Sequence, residues 1–188
     1  MAAGRRIMEL DPLSPVTASV MALMQLSFGR RDEALASARR AVELDSAGPM
    51  PRAMLAMTEL ASGHPDVARR LATMAPHTPT TAPWIGWVLG ATGDRQDAAD
   101  LVREVQGQRG RHATAEITTA FVALGAGDTT RALDALERAA RAHEAIGLVA
   151  PFGLPAYDAI RGSPRFAAVI RAFGSHSAPF VRPASARP

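Results

Sequence analysis

Five histidines are the residues of this sequence best suited to bind a metal ion, because a neutral imidazole nitrogen is a common metal ligand. They are His64, His77, His112, His143 and His176. Two ligands on one helix stand about four residues apart, so that both side chains lie on one face. No two of these histidines have that spacing, and we interpret them as structural or solvent-exposed residues. The sequence predicts no metal and no other cofactor.

The other residues of catalytic type do not form a recognisable catalytic set. The sequence contains no cysteine, which excludes thiol catalysis and disulfides. It also lacks a Gly-x-Ser-x-Gly motif and a phosphate-binding loop. The acidic residues stand mainly at expected helix starts, where capping is their ordinary role. We therefore predict that the protein is not an enzyme and has no catalytic residue.

All 21 basic residues are arginines, and several form pairs that are candidates for phosphate contacts. These pairs fall at different places in successive segments and alternate with Asp and Glu, which favours solvated helix faces over direct nucleic-acid binding. No apolar run reaches the roughly 20 residues that a membrane span needs. No signal peptide precedes the first helix-like segment, so the sequence predicts a cytoplasmic protein that does not bind a membrane.

Four glycines, each followed five residues later by an alanine, organise most of the chain. The pairs are Gly29 and Ala34, Gly63 and Ala68, Gly93 and Ala98, and Gly127 and Ala132. The glycines are 34, 30 and 34 residues apart, and a fixed period of 20–50 residues is typical of stacked repeats. Each glycine stands where one helix must end, and each alanine stands where two helices would cross closely. An aspartate near each turn, such as Asp94 or Asp128, can cap the second helix.

This layout resembles the tetratricopeptide repeat over roughly residues 13–145. The alanine that follows the turn in that family is present in all four units, and the first-helix aromatic landmarks are absent. Two further landmarks carry small or aliphatic residues: Ala38, Ala72, Val102 and Leu136 at one, and Ala41, Ala75, Val105 and Ala139 at the other. The resemblance implies an all-α fold, an α-solenoid or right-handed superhelix of helix-turn-helix repeats with a C-terminal capping helix.

The repeats are predicted to occupy residues 13–47, 48–79, 80–111 and 112–145. Residues 1–12 are either the remnant of an upstream repeat or a short first helix that acts as a cap. Residues 146–174 are predicted to form a C-terminal cap over the open end of the fourth repeat. The apolar residues that would cover this end are Phe166, Val169, Ile170 and Phe173. Residues 175–188 are predicted to be disordered, because they consist mainly of Pro, Ser, Ala and Arg.

An apolar side chain stands six residues before each repeat glycine, on the first helix of its unit. These four residues and four apolar neighbours form what we call the first-helix stripe: Leu23, Leu26, Met57, Leu60, Trp84, Trp87, Ile117 and Phe121. First helices line the concave face in the resembled family, so the stripe is predicted to form an apolar groove for a helix or an extended peptide. Met57, Trp84, Trp87 and Phe121 would then carry most of the binding energy. The alternatives are a core stripe and a groove that a neighbouring domain fills.

Two functions follow from these resemblances. The first is a non-catalytic scaffold that binds a protein or peptide partner through the groove. The second rests on residues 123–139 and 157–166, which resemble the C-terminal segment of bacterial regulators. In those regulators, tetratricopeptide repeats follow a winged-helix, protein-kinase or cyclase domain. This second resemblance implies a sensory segment of a transcriptional or signalling protein, which binds a small ligand or an upstream domain of its own chain.

Overall fold

The computed structural model describes residues 11, 13–107, 114–144 and 151–173. These residues form nine α-helices and one 3-10 turn, and no β-strand occurs among them. The all-α prediction is confirmed. The predictions for the disordered tail 175–188, for the loop residues 146–150 and for residues 1–12 other than Asp11 lie outside the described residues.

The first eight helices form four helix-turn-helix units. The first helices are α1 (Pro15–Ser27), α3 (Pro49–Ala61), α5 (Ala82–Thr92) and α7 (Ala115–Gly125). The second helices are α2 (Arg31–Leu44), α4 (Pro65–Met74), α6 (Arg95–Gly107) and α8 (Thr129–Arg141). Each helix packs on the next one along the chain, and each first helix also packs on the first helix of the next unit. Contacts between successive units make this arrangement a helical solenoid, as predicted.

The local sequence explains where the helices begin. α1, α3 and α4 each begin with a proline, whose fixed φ suits the first turn of a helix. The Ser14 side chain accepts a hydrogen bond from the Thr17 N–H at 3.2 Å and caps α1. Asp128 accepts from the Arg131 N–H at 3.0 Å and caps α8 in the same way.

The four repeat glycines end the first helices in the left-handed conformation. Their φ angles are 76° at Gly29, 87° at Gly63, 78° at Gly93 and 77° at Gly127. The alanines that follow these turns are buried at the crossing of the two helices: Ala34, Ala68, Ala98 and Ala132. A methyl group at such a crossing lets the two helix backbones come close together, and a larger side chain would separate them.

Glycines also produce the closest contact between two first helices, that of α5 with α7. A Cβ placed on Gly90 would lie 2.2 Å from the Val122 carbonyl oxygen. A Cβ on Gly125 would lie 2.2 Å from the carbonyl oxygen of Trp87. No side chain fits in that space, so the absence of a Cβ on both helices is what allows the third and fourth units to pack so closely.

A cluster of aromatic rings builds the C-terminal cap, which consists of a 3-10 turn (Pro155–Tyr157) and α9 (Pro164–Ala172). The Tyr157 ring is fully buried, stacks on Phe166 at 5.1 Å between ring centres, and meets the edge of Phe121 at 5.4 Å. Burial raises the pKa of the Tyr157 hydroxyl far above its usual range, so this side chain stays neutral. α9 packs on α8, the last helix of the fourth unit.

Arginines fix the cap to the last repeat. Arg161 donates to the carbonyl oxygens of Phe152 at 2.9 Å and Leu154 at 3.0 Å, which holds the turn in place. Arg165 at the start of α9 pairs with Asp134 at 2.6 Å and with Glu137 at 2.8 Å on α8. Phe166 and Val169 of the predicted apolar set are buried, and Ile170 and Phe173 are half-buried against the core.

Candidate functional site

The first-helix stripe lies mostly inside the described part of the molecule. Six of its eight members are buried: Leu23, Leu26, Met57, Trp84, Ile117 and Phe121. Leu60 and Trp87 are half-buried and pack against the core from outside. A buried side chain cannot contact a partner unless the helices separate. Leu60 and Trp87 are therefore the two stripe residues that a partner can reach in this structure.

The packing of the units explains why so much of the stripe is buried. Successive first helices contact each other directly, so side chains between them become part of the core. At the C-terminal end, the cap covers Phe121, because the Tyr157 ring lies 5.4 Å from it. That the stripe binds a partner stays a prediction. The half-buried residues through which it could do so are Leu60 and Trp87.

Leu60 and Trp87 lie on neighbouring first helices, α3 and α5, which pack against each other. The backbone of Trp87 is held in place by the close approach of Gly125 to its carbonyl oxygen. A large aromatic side chain on a rigid backbone loses little conformational freedom on binding, and such residues dominate interface hot spots. We call Leu60 and Trp87 together the Trp87 surface.

A network centred on Glu59 begins at the residue before Leu60. Glu59 is buried, and its carboxylate accepts from Arg39 Nη2 at 3.0 Å. Its second oxygen lies 2.7 Å from His64 Nδ1, at the start of α4. Arg39 belongs to α2 and Glu59 to α3, so this network joins the first unit to the second and orders the turn that follows Leu60.

Asp94 joins the second unit to the third. The sequence predicted that its side chain caps α6, but the side chain binds Arg69 and Thr92 instead. Arg69 Nε donates to Asp94 Oδ1 at 2.8 Å, and the Thr92 hydroxyl donates to Oδ2 at 2.6 Å. The hydrogen bond from Arg69 lowers the pKa of the Asp94 carboxyl below its ordinary value, although partial burial opposes this shift. Asp94 therefore remains ionised and fixes the turn after α5, the helix that carries Trp87.

Glu144 is a buried carboxylate that the sequence did not single out. Its two oxygens accept from the backbone N–H groups of Glu116 at 3.0 Å and Ile117 at 2.9 Å, at the start of α7. The left-handed conformation of His143 (φ 55°) directs the chain toward this position after α8 ends. Burial raises the pKa of the Glu144 carboxyl, although the two backbone hydrogen bonds oppose this shift. No sequence signal marks the contact, because 27 residues separate Glu144 from Ile117.

A surface cleft of about 180 Å³ lies between α4, α5 and α6, away from the Trp87 surface. Its apolar wall consists of Ala72, Leu89 and Leu101, and its polar lining consists of Thr73, His77, Asp97, Asp100 and Glu104. No sequence motif marks this cleft, because its residues come from three helices and a loop. Its acidic lining would repel a phosphate group. Within the described residues, no group of three or more His, Asp or Glu side chains is placed to hold a metal ion.

Many arginines that were candidates for phosphate contacts form ion pairs with acidic side chains. Pairs within one helix or turn are Arg40 with Glu43 at 3.1 Å and Arg30 with Glu33 at 2.9 Å. Pairs between elements are Arg39 with Glu59 and Arg69 with Asp94. An arginine that pairs with a carboxylate has less charge to offer a nucleic-acid backbone.

A sequence model of the tetratricopeptide repeat matches residues 15–40, which comprise most of the first helix-turn-helix unit. The first unit is similar to a tetratricopeptide repeat. Tetratricopeptide repeats generally bind protein partners and are generally non-catalytic, so the match indicates a protein-interaction scaffold. No significant match was found among curated proteins, and none among solved structures. Of the helices that the structure describes, none has the length and apolar character needed to cross a membrane.

Proposed function

We propose that the chain is a non-catalytic scaffold that binds a protein or peptide partner through the Trp87 surface. The observation that carries this proposal is the position of Trp87 on a solenoid whose first unit is similar to a tetratricopeptide repeat. Trp87 is the half-buried aromatic side chain of the first-helix stripe, and it lies on the helix that packs most closely with a neighbour. A partner that covers the indole ring would gain a large apolar contact at little entropic cost.

The polar groups of the structure support a non-catalytic role. The buried carboxylates Glu59 and Glu144 and the half-buried carboxylate Asp94 each bind groups that hold helices together. They belong to different joints of the solenoid and do not face a common cavity. A catalytic acid or base must be able to reach a substrate atom, and these three carboxylates bind neighbouring protein groups.

A helix or an extended peptide with a large apolar side chain is the partner that this surface fits best. Leu60 and Trp87 offer apolar side chains, and Glu59, the residue before Leu60, offers polar groups through its network with Arg39 and His64. An apolar centre with a polar rim is the usual composition of a binding interface. The sensory role in a bacterial regulator stays a prediction, in which an upstream domain of the same chain would be the partner.

Selection from a peptide library, followed by affinity measurements on variants, tests this proposal. Peptides selected on the wild-type chain would be titrated against wild type and Trp87→Ala by fluorescence anisotropy. We expect Trp87→Ala to weaken binding about tenfold or more, because large aromatic residues are the usual hot spots. Thermal melts followed by circular dichroism would show whether the variant keeps its helical fold.

Met74→Ala is the matched control, because Met74 is a large apolar residue on a second helix and is 69% exposed. We expect this variant to bind the selected peptides as tightly as wild type. Peptides that lose affinity with Met74→Ala and keep it with Trp87→Ala would place the binding site on the second helices. That outcome would overturn the proposal.

A further inference from the structure

The first helix of the first unit exposes a position that is buried in every later unit. Nine residues before the repeat glycine stand Val20, Met54, Trp84 and Thr118. Met54, Trp84 and Thr118 are each 0% exposed, whereas Val20 is 39% exposed. The same register position is therefore part of the core in α3, α5 and α7 and part of the surface in α1.

The exposed region of α1 is an apolar face and not a single residue. Val16, one turn before Val20, is 55% exposed, and Leu13 just before the helix is 69% exposed. Residues four apart lie on the same side of a helix, so Val16 and Val20 are adjacent. We call Leu13, Val16 and Val20 the α1 face.

The later first helices show what covers this face. α2 packs on α3, α4 packs on α5, and α6 packs on α7, so each later first helix is in contact with the second helix of the unit before it. Among the described residues, no second helix packs on α1 in this way. The missing element is a second helix that would end a few residues before Pro15.

The sequence contains such a segment in the correct register. Residues 5–11 read Arg-Arg-Ile-Met-Glu-Leu-Asp, and residues 39–45 read Arg-Arg-Ala-Val-Glu-Leu-Asp. The second segment is the end of α2 and its C-cap, and it lies 34 residues after the first. Both segments end four residues before the proline that begins the next first helix, Pro15 or Pro49. The offset is the same as the spacing of the first two repeat glycines.

We propose that residues 5–10 cover the α1 face, as the matching end of α2 covers α3. The side-chain sizes fit this placement, because Ile7 stands where α2 has the smaller Ala41 and Val20 stands where α3 has the larger Met54. A larger residue on one element with a smaller one on its neighbour can keep the total core volume unchanged. In the same register, Arg5 and Gln25 correspond to Arg39 and Glu59, which form an ion pair between the first two units.

A double-mutant cycle in the full chain tests the contact. The proteins are wild type, Ile7→Asp, Val20→Asp and the double variant, with Arg6→Asp as the control. Arg6 corresponds to Arg40, which is exposed, so its replacement leaves the proposed joint intact. Thermal melts measure stability, and analytical ultracentrifugation at several concentrations measures the oligomeric state.

We expect Ile7→Asp and Val20→Asp each to lower the melting temperature by about 3–8 °C, because each would place a charge inside the joint. The double variant should melt close to the lower of the two single variants, since the stability effects of substitutions at contacting residues do not add. Arg6→Asp should melt like wild type.

Three outcomes would overturn the proposal. If Ile7→Asp melts like wild type, residues 5–10 do not cover the α1 face. If the losses in melting temperature of the two single variants add fully in the double variant, Ile7 and Val20 do not share a contact. If Val20→Asp turns a dimer into a monomer and Ile7→Asp changes nothing, a second copy of the chain covers the face instead.

Discussion

Gly90 in α5 lies so close to Val122 in α7 that a Cβ on the glycine would be 2.2 Å from the Val122 carbonyl oxygen. The backbone of α7 fills the space, so movement of a flexible side chain cannot relieve the clash. The contact joins the third unit to the fourth and sets the position of the helix that carries Trp87. The position of the Trp87 surface therefore depends on a contact between two backbones.

Gly90→Ala is expected to destabilise the protein by about 2 kcal/mol or more. Alanine favours a helix over glycine by about 1 kcal/mol, but the added methyl group would force α5 and α7 apart. Chemical denaturation measures the loss. Gly107→Ala is the matched control, because the space around Gly107 is open and that glycine also belongs to a helix. Equal effects of the two substitutions would contradict the close contact of α5 and α7.

His143→Gly is expected to stabilise the protein by about 0.5–1 kcal/mol. His143 has a φ of 55°, a conformation that is strained for residues other than glycine. Ala142→Gly, one residue earlier, provides the control, because Ala142 has a φ of −80° and gains nothing from glycine. A loss of stability in His143→Gly similar to that in Ala142→Gly would show that the left-handed conformation is not needed at residue 143.

Asp94 is expected to make the protein less stable in acid. Because Arg69 lowers its pKa in the folded protein, the stabilisation from Asp94 is present above its ordinary pKa of 3.8 and is lost as the pH falls through the lower folded value. Urea denaturation between pH 2.5 and 6 measures this dependence. We expect Asp94→Asn and Arg69→Gln both to reduce the acid-dependent loss. If the free energy of unfolding of Asp94→Asn falls with pH as steeply as that of wild type, Asp94 does not contribute to the acid sensitivity.

Glu144→Ala is expected to weaken the start of α7 and to cost about 1–2 kcal/mol, the usual effect of removing a helix cap. The backbone N–H groups of Glu116 and Ile117 lose their acceptors in this variant. Hydrogen exchange should therefore speed up at these two amides while the amides of α3 keep their wild-type rates. Unchanged exchange at Glu116 and Ile117 would show that the Glu144 carboxylate is not their acceptor in solution.

The repeat architecture was predictable because it depends on short-range features of the sequence. Gly29 and Ala34 lie five residues apart, and their roles follow from local backbone geometry and from the size of one side chain. Prolines such as Pro15 and Pro49 mark helix starts for an equally local reason. The same reasoning holds for Ser163 and Pro164, which stand where the last helix begins.

The accessibility of the first-helix stripe was not predictable, because it depends on contacts between residues far apart in the chain. Apolar residues at helical spacing indicate that one side of a helix is covered but not what covers it. Phe121 is covered by Tyr157, 36 residues later. Glu144 reaches α7 over a similar separation, and Asp94 binds Arg69 in an earlier unit instead of capping α6 with its side chain.

Fluorine NMR of the protein labelled with 5-fluorotryptophan is the most direct test of the proposed scaffold function. The chain has two tryptophans, so the spectrum should contain two resonances, and Trp87→Phe assigns them. Trp84 is 0% exposed and serves as an internal control on the same helix. We expect a selected peptide to shift the Trp87 resonance in a saturable manner and to leave the Trp84 resonance nearly unchanged. Binding that leaves the Trp87 resonance in place would contradict the proposal that this surface receives the partner.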